Sequence, residues 1–249
     1  MKIAGIQLRP VRRAEALARC SALLKDGGSA TLVTVNPEMI VHATRDSFFK
    51  TIIHSAEIQL IDGFGIQLVA RLKRWPAVER FTGIDAIDAL CDIAAEQGSR
   101  VFLLGTRNPT TLMRAAHELK RRYPKLNIVG THIGTEVFET HDGVRAADLR
   151  AHAEVIGRIN VTQPDILFVA FGHGKQEKWI WQHKKQLPSV KLFMGVGGAF
   201  DMIAGDIRRA PRIMRRAGLE WLWRLFKEPW RGRRVWNATA VFLWKALRS

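Results

Sequence analysis

The stretch Ile166-Leu167-Phe168-Val169-Ala170, followed by Phe171-Gly172-His173-Gly174 and then Lys175-Gln176-Glu177-Lys178-Trp179-Ile180, decides how this chain is built. Five apolar residues in a row suit a strand buried in a sheet, and the glycines end it. Helical spacing then runs from Gln176 to Gln186, and a second apolar run, Leu192 to Val196, leads into Gly197-Gly198. The segment therefore reads strand, turn, helix, strand. Working outward, the same alternation recurs. Strands are expected at Ala30 to Val35, Glu57 to Ile61, Arg100 to Leu104 and Asn127 to His132, with helices including Ala14 to Lys25, Ile84 to Gln97, Thr110 to Tyr123 and Ala146 to Thr162. Such a pattern predicts an α/β fold whose crossovers build a mostly parallel sheet with flanking helices. There is no internal repeat of domain scale and no low-complexity linker.

Composition narrows the setting. The 249 residues are 47% apolar, enough for a sizeable core. Cys20 and Cys91 show no metal-site spacing and are too few for a disulfide framework, which fits a reducing cytoplasm. Residues Met1 to Pro10 lack the apolar stretch of a signal peptide, and no segment reaches the roughly 20 apolar residues of a membrane span. The net charge is +16, and it is concentrated at the end: from Arg208 to Ser249 there are twelve Lys and Arg against Glu220 and Glu228. Five of the eight tryptophans, Trp221, Trp223, Trp230, Trp236 and Trp244, lie there too. The chain thus divides into an α/β core, 1–207, and a basic, Trp-rich, amphipathic helical appendage, 208–249. Tryptophan with cations suits a lipid–water boundary. Trp236, Ala240, Leu243, Trp244 and Leu247 recur at helical spacing and could meet a membrane or pack on the core.

In open α/β sheets ligands bind beyond the carboxyl ends of strands. The residues there include Thr34, Asn36, Asp62, Gly105, Gln176, Gly197 and Gly198. Asp62 follows Ile58-Gln59-Leu60-Ile61 and precedes Gly63 and Gly65, so its carboxylate projects from a strand end beside flexible backbone. It suits a general base, and equally a turn or capping aspartate. Thr34 and Asn36 could hydrogen-bond a sugar or simply end a strand before Pro37. The glycines Gly105, Gly197 and Gly198 could bring backbone N–H groups to diphosphate oxygens. No Asp-x-Asp triplet or His-Glu-x-x-His pair is present, so no metal and no other cofactor is expected. A metal-free transferase needs cations against a departing diphosphate. Arg224, Arg231 and Arg234, spaced by seven and three, would share a helical face, either for that purpose or as a solvated surface.

Taken together, the motifs resemble the WecG/TagA/CpsF glycosyltransferase family. The matching pieces run in order: Thr34-Val35-Asn36-Pro37-Glu38, Asp62-Gly63-Phe64-Gly65, Glu79-Arg80-Phe81-Thr82-Gly83-Ile84-Asp85, Phe102-Leu103-Leu104-Gly105, Tyr123-Pro124, Lys175-Gln176-Glu177-Lys178-Trp179-Ile180 and Gly195-Val196-Gly197-Gly198-Ala199-Phe200-Asp201. Arg209-Ala210-Pro211, Gly218-Leu219-Glu220-Trp221 and Glu228-Pro229-Trp230-Arg231 complete them. Gly174 stands where the family usually has proline, and the turn after Leu104 is less glycine-rich than the family's. The resemblance implies a Rossmann-like core and metal-independent, inverting transfer. The sugar would be of the N-acetylmannosamine type, moved from UDP to an undecaprenyl-diphosphate-linked acceptor in teichoic acid or surface-glycan synthesis. Some relatives use UDP-glucose in exopolysaccharide assembly. By the same resemblance Asp62 is the base, Thr34, Asn36 and Gln176 line the sugar pocket, and Arg224, Arg231 and Arg234 complete the site at the membrane.

These readings place the protein in the cytoplasm, peripheral on the inner face of the cell membrane, with a UDP-sugar, a polyprenyl-diphosphate acceptor and an anionic surface as partners. Homo-oligomerisation stays open. The rival readings are a basic nucleic-acid binder, which no binding motif supports, and a non-catalytic membrane module on an inert α/β platform. Binding of UDP separates the transferase from both.

Overall fold

A computed structural model describes residues 1–76, 78–106, 108–211, 213–214, 218–227 and 232–248. A short antiparallel hairpin, β1 (Lys2–Ile3) with β2 (Ile6–Gln7), opens the chain. Six strands then form one parallel sheet: β3 (Ala30–Val35), β4 (Ile58–Ile61), β5 (Arg100–Gly105), β6 (Asn127–His132), β9 (Ile166–Ala170) and β10 (Leu192–Gly195), in the order β4-β3-β10-β9-β5-β6. All six expected strands are present within a residue of their predicted ends.

Alternate residues of the central strands enter different cores, which explains the unbroken apolar runs. Leu103, Phe168 and Met194 face a cluster built with α1 (Arg13–Asp26), α5 (Gly83–Gln97), α6 (Pro109–Arg122) and the short α9 (Ala199–Ile203). On the opposite face, Val33, Val35 and Ile61 pack with α2 (Pro37–Ala43), α3 (Ser47–Ser55) and α4 (Phe64–Leu72), while Leu104, Val169 and Phe193 pack with α7 (Leu149–Thr162) and α8 (Lys175–His183). A strand covered on both sides has no polar face to display.

Two local differences from the sequence reading have clear causes. The helix expected from Ala146 begins at Leu149, because β8 (Val144–Ala146) pairs with β7 (Val137–Glu139) and the Asp148 side chain caps the helix through Ala151 N–H. The helix expected to reach Gln186 tightens at its end into a 3₁₀ turn over Lys184–Gln186. Cys20 and Cys91 are both free and buried.

The C-terminal segment is partly docked on the core. Glu220–Lys227 is helical, and the last helical run comprises Gly232–Trp236, a π-helical stretch Asn237–Val241 and Phe242–Leu247. Phe242 and Ala246 are fully buried against Ile66 and Val69 of α4 and Met39 of α2. Trp236, Trp244 and Leu247 stay exposed at 64%, 54% and 57%. The expected stripe is therefore not the docking face: Phe242 and Ala246, which lie outside it, join the core, whereas of its members Leu243 packs half-buried at the edge and Trp236, Trp244 and Leu247 stay in solvent. Because Phe242 is fully buried in this contact, Phe242→Ala should cost about 3–5 kcal/mol of folding free energy. Thermal denaturation checks this, and an unchanged Tm would contradict it.

Candidate active site

Asp62 ends β4 at the carboxyl edge of the sheet. Its main-chain N–H donates to Val35 O at 2.9 Å, which ties it to the end of β3. The turn that follows is held by close packing rather than by freedom of the backbone. Gly63 has an ordinary extended conformation, yet a Cβ there would lie 2.1 Å from Pro37 Cδ. Glycine is needed so that the Asp62 and Asn36 turns can touch, which replaces the expectation of flexible backbone.

The Asp62 carboxylate meets the start of α5, where Gly83 N–H donates to Oδ2 at 3.3 Å. A helix N-terminus favours an anion there. Asp62 retains a partly exposed surface, but its carboxyl is deep enough that desolvation pushes its pKa up to about 7. The Arg80 guanidinium and the Gly83 N–H oppose that rise, while Glu220 and Asp85 reinforce it. A group half-ionised near neutrality, at the mouth of a strand edge, has the protonation behaviour of a general base.

The other predicted residues gather along the same edge. The Thr34 hydroxyl and the Asp62 carboxylate both flank Gly83, 3.6 and 3.9 Å from where a Cβ would stand. Asn36 caps α2, its Oδ1 accepting Met39 N–H at 3.0 Å, so what it retains for a sugar is its NH₂ group. Gln176 is buried at the start of α8; its Oε1 accepts Gly197 N–H at 2.8 Å and its Nε2 donates to Glu177 at 2.7 Å. This amide holds the Gly197 turn in place. Gly197 has φ +54° with open space at its Cβ position, and Gly198 precedes α9. Gly105, at φ +108°, lies against the Ala170 backbone. The following Thr106 has φ +74°, a strained conformation for a β-branched residue. Glu177 is a second carboxyl raised to about 7 by burial, but it accepts Gly174 N–H at 2.9 Å as well as the Gln176 amide, a structural commitment.

Sequence reasoning assigned no role to a network that adjoins Asp62. Arg80 donates from Nε to the main-chain oxygen of Asp62 at 3.2 Å and from Nη2 to Glu220 at 2.8 Å. Glu220 is also 3.5 Å from Arg209 Nε, and Arg209 Nη2 donates to Asp85 at 2.8 Å and to Thr82 at 3.1 Å. Gly218, at φ +73°, brings its backbone onto the Phe64 ring, where a Cβ would sit 2.3 Å from Cδ2. The beginning of the basic segment is therefore seated directly over the Asp62-Gly63-Phe64 turn. The signal was present in the sequence as the motifs holding Arg80, Arg209 and Glu220, but no local rule pairs them.

Of the three expected diphosphate-binding arginines, Arg231 lies outside the described residues. For Arg224 and Arg234 the backbone alone is described, in helices Glu220–Lys227 and Gly232–Trp236. Elsewhere His42, Asp46 and Glu139 present three potential metal ligands within 4.8 Å of one another. The Lys178 ammonium already lies among them, 2.6 Å from Asp46 and 3.0 Å from Glu139, and serves as their cation. No described helix is long and apolar enough to cross a membrane.

Comparison with known proteins identifies a family for the chain. The family model described as "Glycosyl transferase WecG/TagA/CpsF family" matches residues 1–249. Similar proteins include N-acetylglucosaminyldiphosphoundecaprenol N-acetyl-beta-D-mannosaminyltransferases of Staphylococcus aureus strains MRSA252 and MW2. Each is 32% identical over 218 residues, covering 88% of this chain and 80% of the relative. The protein of strain NCTC 8325 / PS 47 aligns with the same identity and coverage. A strand-end carboxylate on a parallel sheet and a match along the full chain lead to one conclusion: this protein is a glycosyltransferase of the WecG/TagA/CpsF family.

Proposed function

We propose that the protein carries out inverting, metal-independent transfer of an N-acetylmannosamine-type sugar from its UDP conjugate to an undecaprenyl-diphosphate-linked sugar. The observation that carries this reading is the Asp62 carboxyl, desolvated at a strand end and touching the N-terminus of α5. The relatives' names specify an N-acetylglucosaminyl-diphosphoundecaprenol acceptor and a β-mannosaminyl product, which suits the single displacement proposed.

In that displacement the acceptor hydroxyl oxygen attacks the anomeric carbon on the face opposite UDP. Asp62 takes the hydroxyl proton, the new C–O bond forms, and the bond to the diphosphate breaks with its electron pair leaving on UDP. Backbone N–H groups at Gly105, Gly197 and Gly198, with Arg224, Arg231 and Arg234, would stabilise that growing charge. The lipid acceptor would be met at the membrane surface. Exposed Trp236, Trp244 and Leu247, with Arg248 stacked 4.4 Å above the Trp244 ring, support an interfacial contact there.

A panel of UDP-sugars offered with lipid-diphosphate acceptors, with products identified by mass, tests the reading; absence of transfer from every UDP-sugar would overturn it. Asp62→Asn keeps the shape but cannot accept a proton, so turnover should fall by about 10²–10⁴-fold while circular dichroism stays unchanged. Because the base must be ionised, kcat/KM should drop on the acid side of about pH 7. Stability supplies an independent check with the opposite sense. A carboxyl with a raised folded pKa favours the fold only while protonated, and that contribution is lost as pH rises from its ordinary value through about 7. Asp62→Asn should accordingly gain on the parent in Tm over that interval. Arg231→Ala should lower turnover by about 10²-fold and weaken sedimentation with anionic vesicles.

A further inference from the structure

Besides the packing of Gly218 on Phe64, a carboxylate of the basic segment, Glu220, reaches the Asp62 turn by way of Arg80. Glu220 stands at the N-terminal end of helix Glu220–Lys227, its side chain only 13% exposed, between Arg80 and Arg209. The segment around it is independently anchored. Gly218 lies on Phe64, and within the segment Trp223 Nε1 donates to Arg208 O at 2.9 Å, which ties the helix back to the segment's start. We propose that Glu220 is a positioning residue for the transfer reaction: by engaging Arg80 on one side and Arg209 on the other, it fixes the guanidinium beside Asp62 and makes the working state of the base depend on the seating of the C-terminal segment.

The argument is electrostatic and rests on Asp62 being the base. Arg80 spans the main-chain oxygen of Asp62 and the carboxylate of Glu220, so its positive charge is shared between them. With Glu220 neutral or withdrawn, that anion no longer competes for the Arg80 charge, which then acts more strongly on the Asp62 carboxylate. A cation that loses a competing anion stabilises a nearby carboxylate more and makes it a poorer proton acceptor. Among the described residues, the groups that face Asp62 include Thr34 from β3, Gly83 N–H and Asp85 from α5, Arg80 ahead of α5, and Glu220 from the C-terminal segment. Asp85 is itself held by Arg209, which Glu220 also contacts, so loss of Glu220 loosens both sides of the network. Glu220 touches no reacting atom in this scheme; it acts by engaging Arg80, and its own negative charge adds to the rise at Asp62.

Two variants and two readouts test this. Glu220→Gln keeps size and removes charge, while Glu220→Asp keeps charge. Asp62 is followed directly by ¹³C carboxyl NMR titration of the full-length protein, its resonance assigned by its loss in Asp62→Asn. The titration midpoint of Asp62 should fall by about one unit in Glu220→Gln and return most of the way in Glu220→Asp. The acid limb of kcat/KM should move down in step, with kcat reduced and the donor KM nearly unchanged. A Glu220→Gln midpoint identical to the parent's, in a protein with the parent's circular dichroism, would overturn the proposal. Should Asp62→Asn retain turnover, the base assignment falls on its own, and the NMR midpoint still decides what Glu220 does to Asp62.

Discussion

The whole site turns on the balance struck at one carboxyl. Removing Asp62 from water favours its neutral form, whereas Arg80 and the Gly83 N–H favour its charged form. Desolvation outweighs them, and the pKa of the group rises to about 7. Full exposure would make it an ordinary carboxylate, a weak base, and a direct ion pair with arginine would weaken it further. Arg80 pairs with Glu220 at 2.8 Å while it donates to the main-chain oxygen of Asp62, so its guanidinium is divided between two partners.

That balance depends on close approaches that side chains would forbid. Gly63 lets the Asp62 turn lie against Pro37, so the ends of β3 and β4 form one surface on which Thr34, Asn36 and Asp62 meet. Gly218 lets the C-terminal segment rest on Phe64, and Phe242 fills the space beside Gly65. The segment is joined to the core through apolar contacts at its far end and through ion pairs near its start. Burial of Phe242 anchors it firmly, whereas the partly exposed pairs among Arg80, Glu220 and Arg209 contribute more to geometry than to stability.

Much of this architecture was legible in the order of residues, and the reason is local. Apolar runs such as Ile166 to Ala170 and helical spacing such as Ile84 to Gln97 are short-range patterns, and each became the expected element. The strand-end position of Asp62, Thr34, Asn36 and Gly197 followed from the same alternation. Where the reading slipped, as at Ala146, a hairpin partner competed with helix periodicity that extends only from Leu149.

What the sequence determined by itself was therefore the α/β class, the strand-end loops gathered along one edge of the sheet, and the concentration of Lys, Arg and Trp in the last stretch of the chain. Tertiary structure alone decided the condition of those groups. Arg80 and Glu220 stand 140 positions apart, and no periodicity joins them. Gln176, which reads as a pocket residue, spends both ends of its amide on Gly197 and Glu177. Desolvation and ion pairing depend on which atoms surround a group in space, and those neighbours come from distant parts of the chain that only folding brings together.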